Sequence, residues 1–274
     1  MDAHVSVIPF SRAARTTPRR SREVVPGAAG WTAPAPDEDP PASSAAAVPS
    51  TGPDEDFEPR ERSEIASRIF NCCIAIFLLV IVAPVMLLAA VLVWLTSRGP
   101  VLYTQTRVGI DRRWNRTWAL NERRREDLGG IPFTIYKFRS MKVDAEVNGQ
   151  AVWAKKDDDR VTAIGAFMRT TRVDELPQLF NVLRGDMNIV GPRPERPSIF
   201  VRLREQIAEY PIRQRVKPGI TGLAQVCNPY DTCLDDVRAK VAYDLEYMRR
   251  QSLAEDIRIM LKTVPVMLFR IGGW

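Results

Sequence analysis

The fold class predicted by this 274-residue sequence is mixed α/β and rich in helix, with a small sheet. Three observations predict it. Residues 1–60 are rich in proline, residues 69–97 carry no charge, and the remainder combines a β-forming run with apolar residues at helical spacing. We therefore expect a disordered tail at 1–60, a membrane-inserted, re-entrant helix hairpin at 61–98, and a cytosolic domain at 99–274 whose amphipathic helices lie on the membrane surface.

The first 60 residues differ from the rest in charge. They hold 10 of the 21 prolines and six Lys/Arg against nine Asp/Glu, a net charge of −3 in a chain of net charge +6. Such a segment lacks the apolar side chains that a folded core needs. The remaining chain therefore carries a net charge of +9, which favours anionic partners such as phosphates, acidic lipids or nucleic acid.

Histidine and cysteine usage excludes several kinds of site. The single histidine, His4, lies in the tail, which argues against a Ser-His-Asp triad or a His-rich metal site in the folded part. The four cysteines form no C-x-x-C pair, so zinc-knuckle and thioredoxin-type motifs are not indicated. They are Cys72, Cys73, Cys227 and Cys233.

The uncharged run from Ile69 to Ser97 predicts a membrane-inserted helix, because roughly 20 apolar residues suffice to cross a bilayer. Pro84 near its middle removes a backbone hydrogen bond and predicts a kink. Cations flank both ends, which places both ends on the cytoplasmic side. A helix that enters, breaks at Pro84 and returns satisfies both observations, whereas a kinked full span would separate the tail from the domain. The flanking cations are Arg60, Arg62, Arg68, Arg98 and Arg107.

The C-terminal domain begins with an arginine-rich insert at 111–130, which we interpret as a solvated or lipid-headgroup-facing loop. The next segment, Phe133–Arg139, is rich in β-formers and predicts a strand. Helices are predicted at 170–183, 196–210 and 235–250. The segment 253–270 predicts an amphipathic helix that lies along a membrane surface.

Two charged patterns stand out in this domain. Pro177 suits the first turn of a helix, which would put Asp174 and Glu175 at a helix N-terminus, where anions are stabilised. A persistent carboxylate there can serve as a nucleophile or metal ligand, and ordinary N-capping is the alternative. Lys137 and Arg139 share one face of the predicted strand, and this pair indicates either a phosphate clamp or a solvated strand face.

Two loops are rich in glycine and proline. In the first, Gly191-Pro192-Arg193-Pro194, rigid turns hold the arginine, which suits it to orient a diphosphate. In the second, Lys217-Pro218-Gly219-Ile220-Thr221-Gly222, the glycines allow close backbone approach or a tight turn.

Four ordered blocks resemble the bacterial sugar transferase family, the monotopic phosphoglycosyl transferases that start exopolysaccharide, O-antigen and glycan assembly. The blocks are KFRSM at 137–141, DELPQLFNVL at 174–183, GDMNIVGPRP at 185–194 and PGITG at 218–222. The resemblance covers roughly residues 62–265. Many members have Ser before the membrane proline, where this chain has Ala83, and the insert at 111–130 is longer than in compact members.

The resemblance implies an enzyme of the bacterial inner membrane whose domain faces the cytoplasm. It would transfer a sugar-1-phosphate from a UDP-sugar to polyprenyl (undecaprenyl) phosphate and release UMP, through a covalent phosphosugar intermediate on Asp174. Mg²⁺ would be the cofactor, held with the help of Glu175. The substrate-binding residues implied are Lys137, Arg139, Arg169, Gln178, Pro192, Arg193, Pro194 and Arg215, with Pro84 at the membrane break.

Two other functions fit parts of the sequence. A non-enzymatic, membrane-tethered scaffold that binds anionic lipid or nucleotide explains the charge and the anchor but not the four blocks. Nucleic-acid binding gains from the pI of about 9.3, yet no known module is present. The sequence leaves the sugar and the oligomeric state open, a homo-oligomer included.

Overall fold

The computed structural model describes residues 57–113, 128–143, 145, 158–228 and 233–268. Most of the predicted tail and of the 111–130 insert therefore lies outside the described residues. Phe57–Arg60, which the sequence assigns to the tail, lie against the folded domain. Phe57 is buried, its ring lies under the guanidinium of Arg249 at 5.2 Å, and the Arg60 amide donates to the carbonyl of Met248 at 3.0 Å. The folded part thus begins before residue 60.

The longest element is helix α1, Glu64–Thr96, which begins at a Ser63 cap and runs through Pro84 without leaving helical conformation. The predicted helix hairpin with a break at Pro84 is therefore wrong, because the helix continues past the one backbone hydrogen bond that the proline removes. By length and composition it is the one described helix that is apolar enough to cross a membrane. One of its faces lies against the domain over almost its whole length, with Ser67, Asn71, Ala75, Ala89 and Val93 buried. Most of its other large apolar side chains are exposed.

Two small sheets follow, in place of the one expected. Strand β1, Leu102–Val108, pairs antiparallel with β2, Pro132–Phe138, which confirms the predicted strand within one residue. Strand β3, Asn188–Val190, pairs in parallel with β4, Gly219–Thr221. The described part is therefore a helix-rich mixed α/β structure, as predicted, with two small sheets where one was expected.

The predicted helix at 170–183 is instead interrupted. Helix α2, Ala163–Thr171, ends at Arg172, whose φ of 59° is left-handed, and a 3-10 turn at Val173–Glu175 leads to helix α3, Gln178–Arg184. The sequence pattern missed this because a left-handed C-cap is a backbone state that a non-glycine residue rarely signals. On α3, Leu179 and Val182 are buried and Phe180 is 47% exposed.

The remaining helices lie around β3 and β4. Helix α4, Pro197–Arg204, is shorter than the predicted 196–210, and a 3-10 segment, Tyr210–Arg215, follows it. Helix α5 spans Leu223–Cys227, and α6, Leu234–Arg250, matches its prediction. Helix α7, Leu253–Leu268, buries Asp256 and Ile259 and exposes an apolar stripe, as an amphipathic surface helix should. The stripe consists of Leu253, Ile257, Leu261, Val264 and Met267.

Candidate active site

The structure brings Asp174 and Glu175 together with cations from two other elements. Both carboxylates are buried at 7% exposure on the short turn between α2 and α3. Oε1 of Glu175 accepts from Lys137 Nζ at 2.7 Å and from Arg193 Nη2 at 2.6 Å. Lys137 comes from β2 and Arg193 from the loop after β3, so the turn, the strand and the loop meet at Glu175. We call Asp174, Glu175, Lys137 and Arg193 the carboxylate site.

The two neighbouring carboxylates have opposite electrostatic environments. Burial raises the pKa of Asp174 to about 6, and the adjacent Glu175 charge adds to the rise. Burial also acts to raise the pKa of Glu175, but Arg193 and Lys137 outweigh it and hold that pKa well below its usual range. Environments that push two acid groups apart in this way commonly give them different roles. Glu175 is therefore a fixed anion, whereas Asp174 is more basic.

One carboxylate oxygen of Asp174 takes part in no hydrogen bond among the described residues. Its Oδ1 is buried and has no hydrogen-bond partner among the described residues. Four residues further along, Gln178 is 2% exposed and its Nε2 likewise has no partner in that part of the chain. An unpaired buried acceptor and donor each carry a desolvation cost that a bound ligand can remove.

The loop that carries Arg193 is fixed on both sides. The carbonyl of Pro192 accepts from the Gly219 amide at 2.9 Å, and that of Pro194 accepts from Arg107 Nη1 at 3.0 Å. The loop passes close to β4, because a Cβ on Gly191 would stand 2.5 Å from the carbonyl oxygen of Lys217. The two prolines of the predicted motif thus act through their backbone, and they hold the guanidinium of Arg193 toward Glu175.

A buried ion pair supports the same loop from behind. Arg213 Nε donates to Asp244 Oδ2 at 2.6 Å, and its Nη2 donates to the carbonyl of Arg193 at 3.3 Å. Asp244, on α6, is 1% exposed. The sequence reasoning missed both residues, although a charged residue within the apolar face of an amphipathic helix could have drawn attention to Asp244.

Arg107 is a further residue whose position the sequence did not reveal. In the sequence it is one of the cations that flank the apolar segment. In the structure it lies on β1 beside Glu195, at 3.8 Å, with a buried Nε that has no partner among the described residues. Burial lowers its pKa, and Arg193 and Glu175 are among the charges that act on it. Arg107 thus adds a third cation close to the carboxylate site.

Three predicted substrate residues lie elsewhere or carry no described contact to this site. Arg139 donates to the carbonyls of Ser97 at 2.5 Å and Arg98 at 2.9 Å, so it caps the end of α1 and does not form a clamp with Lys137. Strand β2 ends at Phe138, so strand alternation no longer holds the two side chains together. Arg215 donates to the carbonyl of Phe57. Arg169 lies in the last turn of α2.

Comparison with known proteins agrees with the resemblance in the motifs. The family model described as "Bacterial sugar transferase" matches residues 62–270. A UDP-glucose:undecaprenyl-phosphate glucose-1-phosphate transferase of Caulobacter vibrioides is 38% identical over 212 residues, which are 77% of this chain and 72% of the relative. An exopolysaccharide production protein PSS of Rhizobium leguminosarum is 38% identical over 219 residues, which are 77% of this chain and 98% of the relative.

Other relatives are much longer than this chain. The UDP-N-acetylgalactosamine-undecaprenyl-phosphate N-acetylgalactosaminephosphotransferase of Aeromonas hydrophila is 40% identical over 199 residues, which are 73% of this chain but only 43% of that protein. The match therefore covers less than half of this relative. On the family match and these identities, the chain belongs to the bacterial sugar transferase family, a family of enzymes, as the motifs predicted.

Proposed function

We propose that this protein transfers a sugar-1-phosphate from a UDP-sugar to undecaprenyl phosphate, with Asp174 as the nucleophile. The proposal depends on one observation, which is that the two carboxylates of the Asp-Glu pair differ in their contacts and in their pKa. Glu175 is bound by two cations, whereas Asp174 keeps a buried, unpaired oxygen and a raised pKa. The names of the relatives support the substrate classes.

The first half of the reaction forms a bond between Asp174 and phosphorus. A carboxylate oxygen of Asp174 attacks the β-phosphorus of the UDP-sugar, the bond from that phosphorus to the bridging oxygen breaks, and UMP leaves with this oxygen. Near neutral pH an acid with a pKa of about 6 is mostly ionised, yet more basic than an ordinary aspartate. The product is a mixed anhydride of the aspartyl side chain and the sugar phosphate.

The second half regenerates the carboxylate. An oxygen of undecaprenyl phosphate attacks the same phosphorus, the bond to Asp174 breaks, and the sugar is left on an undecaprenyl diphosphate. Both halves bring anions together, so their rates depend on positive charge that is already in place. Lys137 and Arg193 supply that charge at Glu175, and Arg107 lies close behind. The buried amide of Gln178, whose Nε2 has no partner among the described residues, supports a role as a donor to the substrate.

The donor set suits a Mg²⁺ ion that is shared with the substrate. Within the described ranges no three His, Cys, Asp or Glu side chains form a cluster, so a cage made of protein groups alone is not indicated there. Mg²⁺ commonly binds one or two carboxylates together with substrate phosphates. Among the described residues, Oδ1 of Asp174 has no partner, and Oε2 of Glu175 has a long 3.4 Å contact from Arg193. When bound, the ion would neutralise charge on the diphosphate.

We also propose that both ends of α1 lie on the same, cytoplasmic side of the membrane. Near the beginning of the helix, Asn71 Oδ1 accepts from the Ile189 amide at 2.7 Å, and beyond its end the carbonyl of Arg98 accepts from Arg139 at 2.9 Å. One domain therefore holds both ends. A hydrocarbon core of about 30 Å between the two ends would break these contacts, whereas a shallow insertion that exposes the other faces of α1 to lipid keeps them.

Labelling of single cysteines tests this topology. In a chain whose four native cysteines are replaced by alanine, Glu58→Cys and Arg98→Cys place exposed thiols on either side of α1. A membrane-impermeant maleimide should label both in inverted vesicles and neither in intact spheroplasts. Labelling of the two positions from opposite sides would contradict the proposal.

A trapping experiment tests the reaction. The purified full-length protein is mixed with Mg²⁺ and UDP-glucose or UDP-N-acetylgalactosamine, without a lipid acceptor. We expect UMP release and a hexose-phosphate adduct that tryptic mass spectrometry maps to Asp174. Undecaprenyl phosphate should discharge the adduct. Asp174→Asn should abolish the adduct and lower kcat by at least about 10³-fold, whereas the exposed Asp235→Asn on α6 should retain both. Product formation without an adduct would refute the covalent mechanism.

A further inference from the structure

A second group of cations surrounds a cavity near the beginning of α1. The cavity has a volume of about 510 Å³, and within the described ranges its lining shares no residue with the carboxylate site. Six cations and two carboxylates line it. The cations are Arg60, Arg62, Arg68, Arg112, Arg215 and Lys217, and the carboxylates are Glu61 and Glu64. We call it the basic cavity.

The charges around the basic cavity are only partly balanced. Arg62 forms an ion pair with Asp256 at 3.0 Å, whereas the hydrogen bonds of Arg68 among the described residues go to the uncharged carbonyls of Val182 and Leu183. Burial lowers the pKa of Lys217, and Arg68, Arg112 and Arg62 lower it further, against the opposing effect of Glu64. Cations around a concave surface repel one another, and a bound anion reduces this repulsion.

The lining of the basic cavity also includes two apolar side chains of α1 that are exposed. Ile65 and Ile69 both line the cavity, yet they are 74% and 59% exposed. Beyond them the outer faces of α1 continue with exposed apolar side chains. A ligand that satisfies both parts of the lining combines an anionic head with an apolar tail.

The basic cavity also contains a buried hydrogen-bond acceptor, which an ionised phosphate oxygen cannot pair with because it is itself an acceptor. Gln251, 5% exposed, lines the basic cavity and donates through Nε2 to the carbonyl of Arg60 at 2.7 Å. Its Oε1 is buried and has no partner among the described residues. This acceptor fits a hydroxyl donor, such as the headgroup hydroxyl of a glycerol-based lipid.

We propose that the basic cavity binds the headgroup phosphate of an anionic glycerophospholipid from the bilayer that receives α1. The site is separate from the carboxylate site and fixes the depth and orientation of the domain at the membrane surface. The proposal rests on the proposed insertion of α1 but not on the proposed transfer reaction. Asp174→Asn protein should therefore bind the lipid as wild type does, so failure of one proposal is distinguishable from failure of the other.

Thermal unfolding of the full chain in a neutral detergent tests the proposal. The probes are dihexanoyl phosphatidylglycerol, dihexanoyl phosphatidylcholine, farnesyl phosphate and inorganic phosphate. At a hundredfold excess over Kd, phosphatidylglycerol should raise Tm by about 5 °C. Arg112→Gln/Lys217→Gln should reduce that shift at least threefold. The matched control Arg202→Gln/Arg238→Gln removes two exposed charges outside the cavity and should keep the shift.

Single variants make the result independent of any folding defect in the double variant. Lys217→Arg keeps the charge and should keep the shift, whereas Lys217→Gln should reduce it. An equal shift in the cavity variant and the control would overturn the proposal, as would an equal shift with phosphatidylcholine. A shift produced fully by inorganic phosphate would identify a site for free anions, and one produced by farnesyl phosphate alone would identify a site for isoprenoid phosphates. Either result would also overturn it.

Discussion

The carboxylate site and the basic cavity both gather arginine and lysine, yet they differ in what balances the charge. At the carboxylate site, Lys137 and Arg193 converge on the buried Glu175. Six cations and two carboxylates line the described part of the basic cavity, and Arg68, Arg112 and Arg62 lower the pKa of Lys217. The comparison teaches that cations paired with a carboxylate of the same protein can shift the pKa of a neighbouring acid. Cations that outnumber the carboxylates around them favour the binding of an anionic ligand.

The largest effect should come from removing the carboxylate of Glu175. Glu175→Gln removes the buried partner that the half-buried Lys137 and Arg193 share. The loss should be about 3 kcal/mol, the lower end of the range for breaking a buried pair, because the Arg193 side chain is 35% exposed. Chemical unfolding of the full chain in detergent measures the loss. The exposed ion pair of Glu246 with Arg250 provides the control, and Glu246→Gln should cost less than about 1 kcal/mol. Equal losses in the two variants would show that Glu175 does not organise these cations.

Asp174→Asn should change the free energy of unfolding less than Glu175→Gln does, and near neutral pH it should stabilise the protein. Because the folded pKa of Asp174 is raised to about 6, its contribution to stability is most favourable below about pH 4 and is lost as the pH rises through 6. Asp174→Asn should therefore raise the unfolding free energy at pH 7, by about 1–3 kcal/mol, and change it little at pH 4. Thermal unfolding at the two pH values checks this.

The charges that act on Asp174 come from several elements. Glu175 raises its pKa, and Lys137, Arg193 and Arg172 lower it. A destabilised Asp174→Asn protein at pH 7 would mean that these cations outweigh burial. The same pKa predicts an acid limb near pH 6 in the profile of kcat/KM, since the ionised carboxylate is the attacking form.

The smallest effect should come from the basic cavity in the absence of lipid. Lys217→Gln removes one member of a group of like charges, so it should leave stability unchanged or raise it by less than about 1 kcal/mol. The gain should shrink in 1 M salt, where the Debye length is about 3 Å. Lys217→Arg, which keeps the charge, is the control. A loss of several kcal/mol in Lys217→Gln would show that Lys217 has a structural partner, and the contrast between the two sites would disappear.

The sequence determined the parts of this protein that depend on local chemistry. The uncharged run at 69–97 specifies an apolar helix whatever lies beside it, because only a helix satisfies its own backbone in an apolar setting. The alternating β-formers gave strand β2, and the motif blocks identified Asp174, Glu175 and Arg193 and the family.

Only the tertiary structure decided which of these residues meet. The left-handed Arg172 divides the predicted helix and so positions both carboxylates on a turn, and Arg139, expected beside Lys137, caps α1 instead. Arg213 and Asp244 hold the Arg193 loop from 31 residues apart in sequence. The physical reason is that a pKa, an ion pair or a cavity depends on distances between segments that are remote in the chain, and a local pattern of residues contains none of those distances.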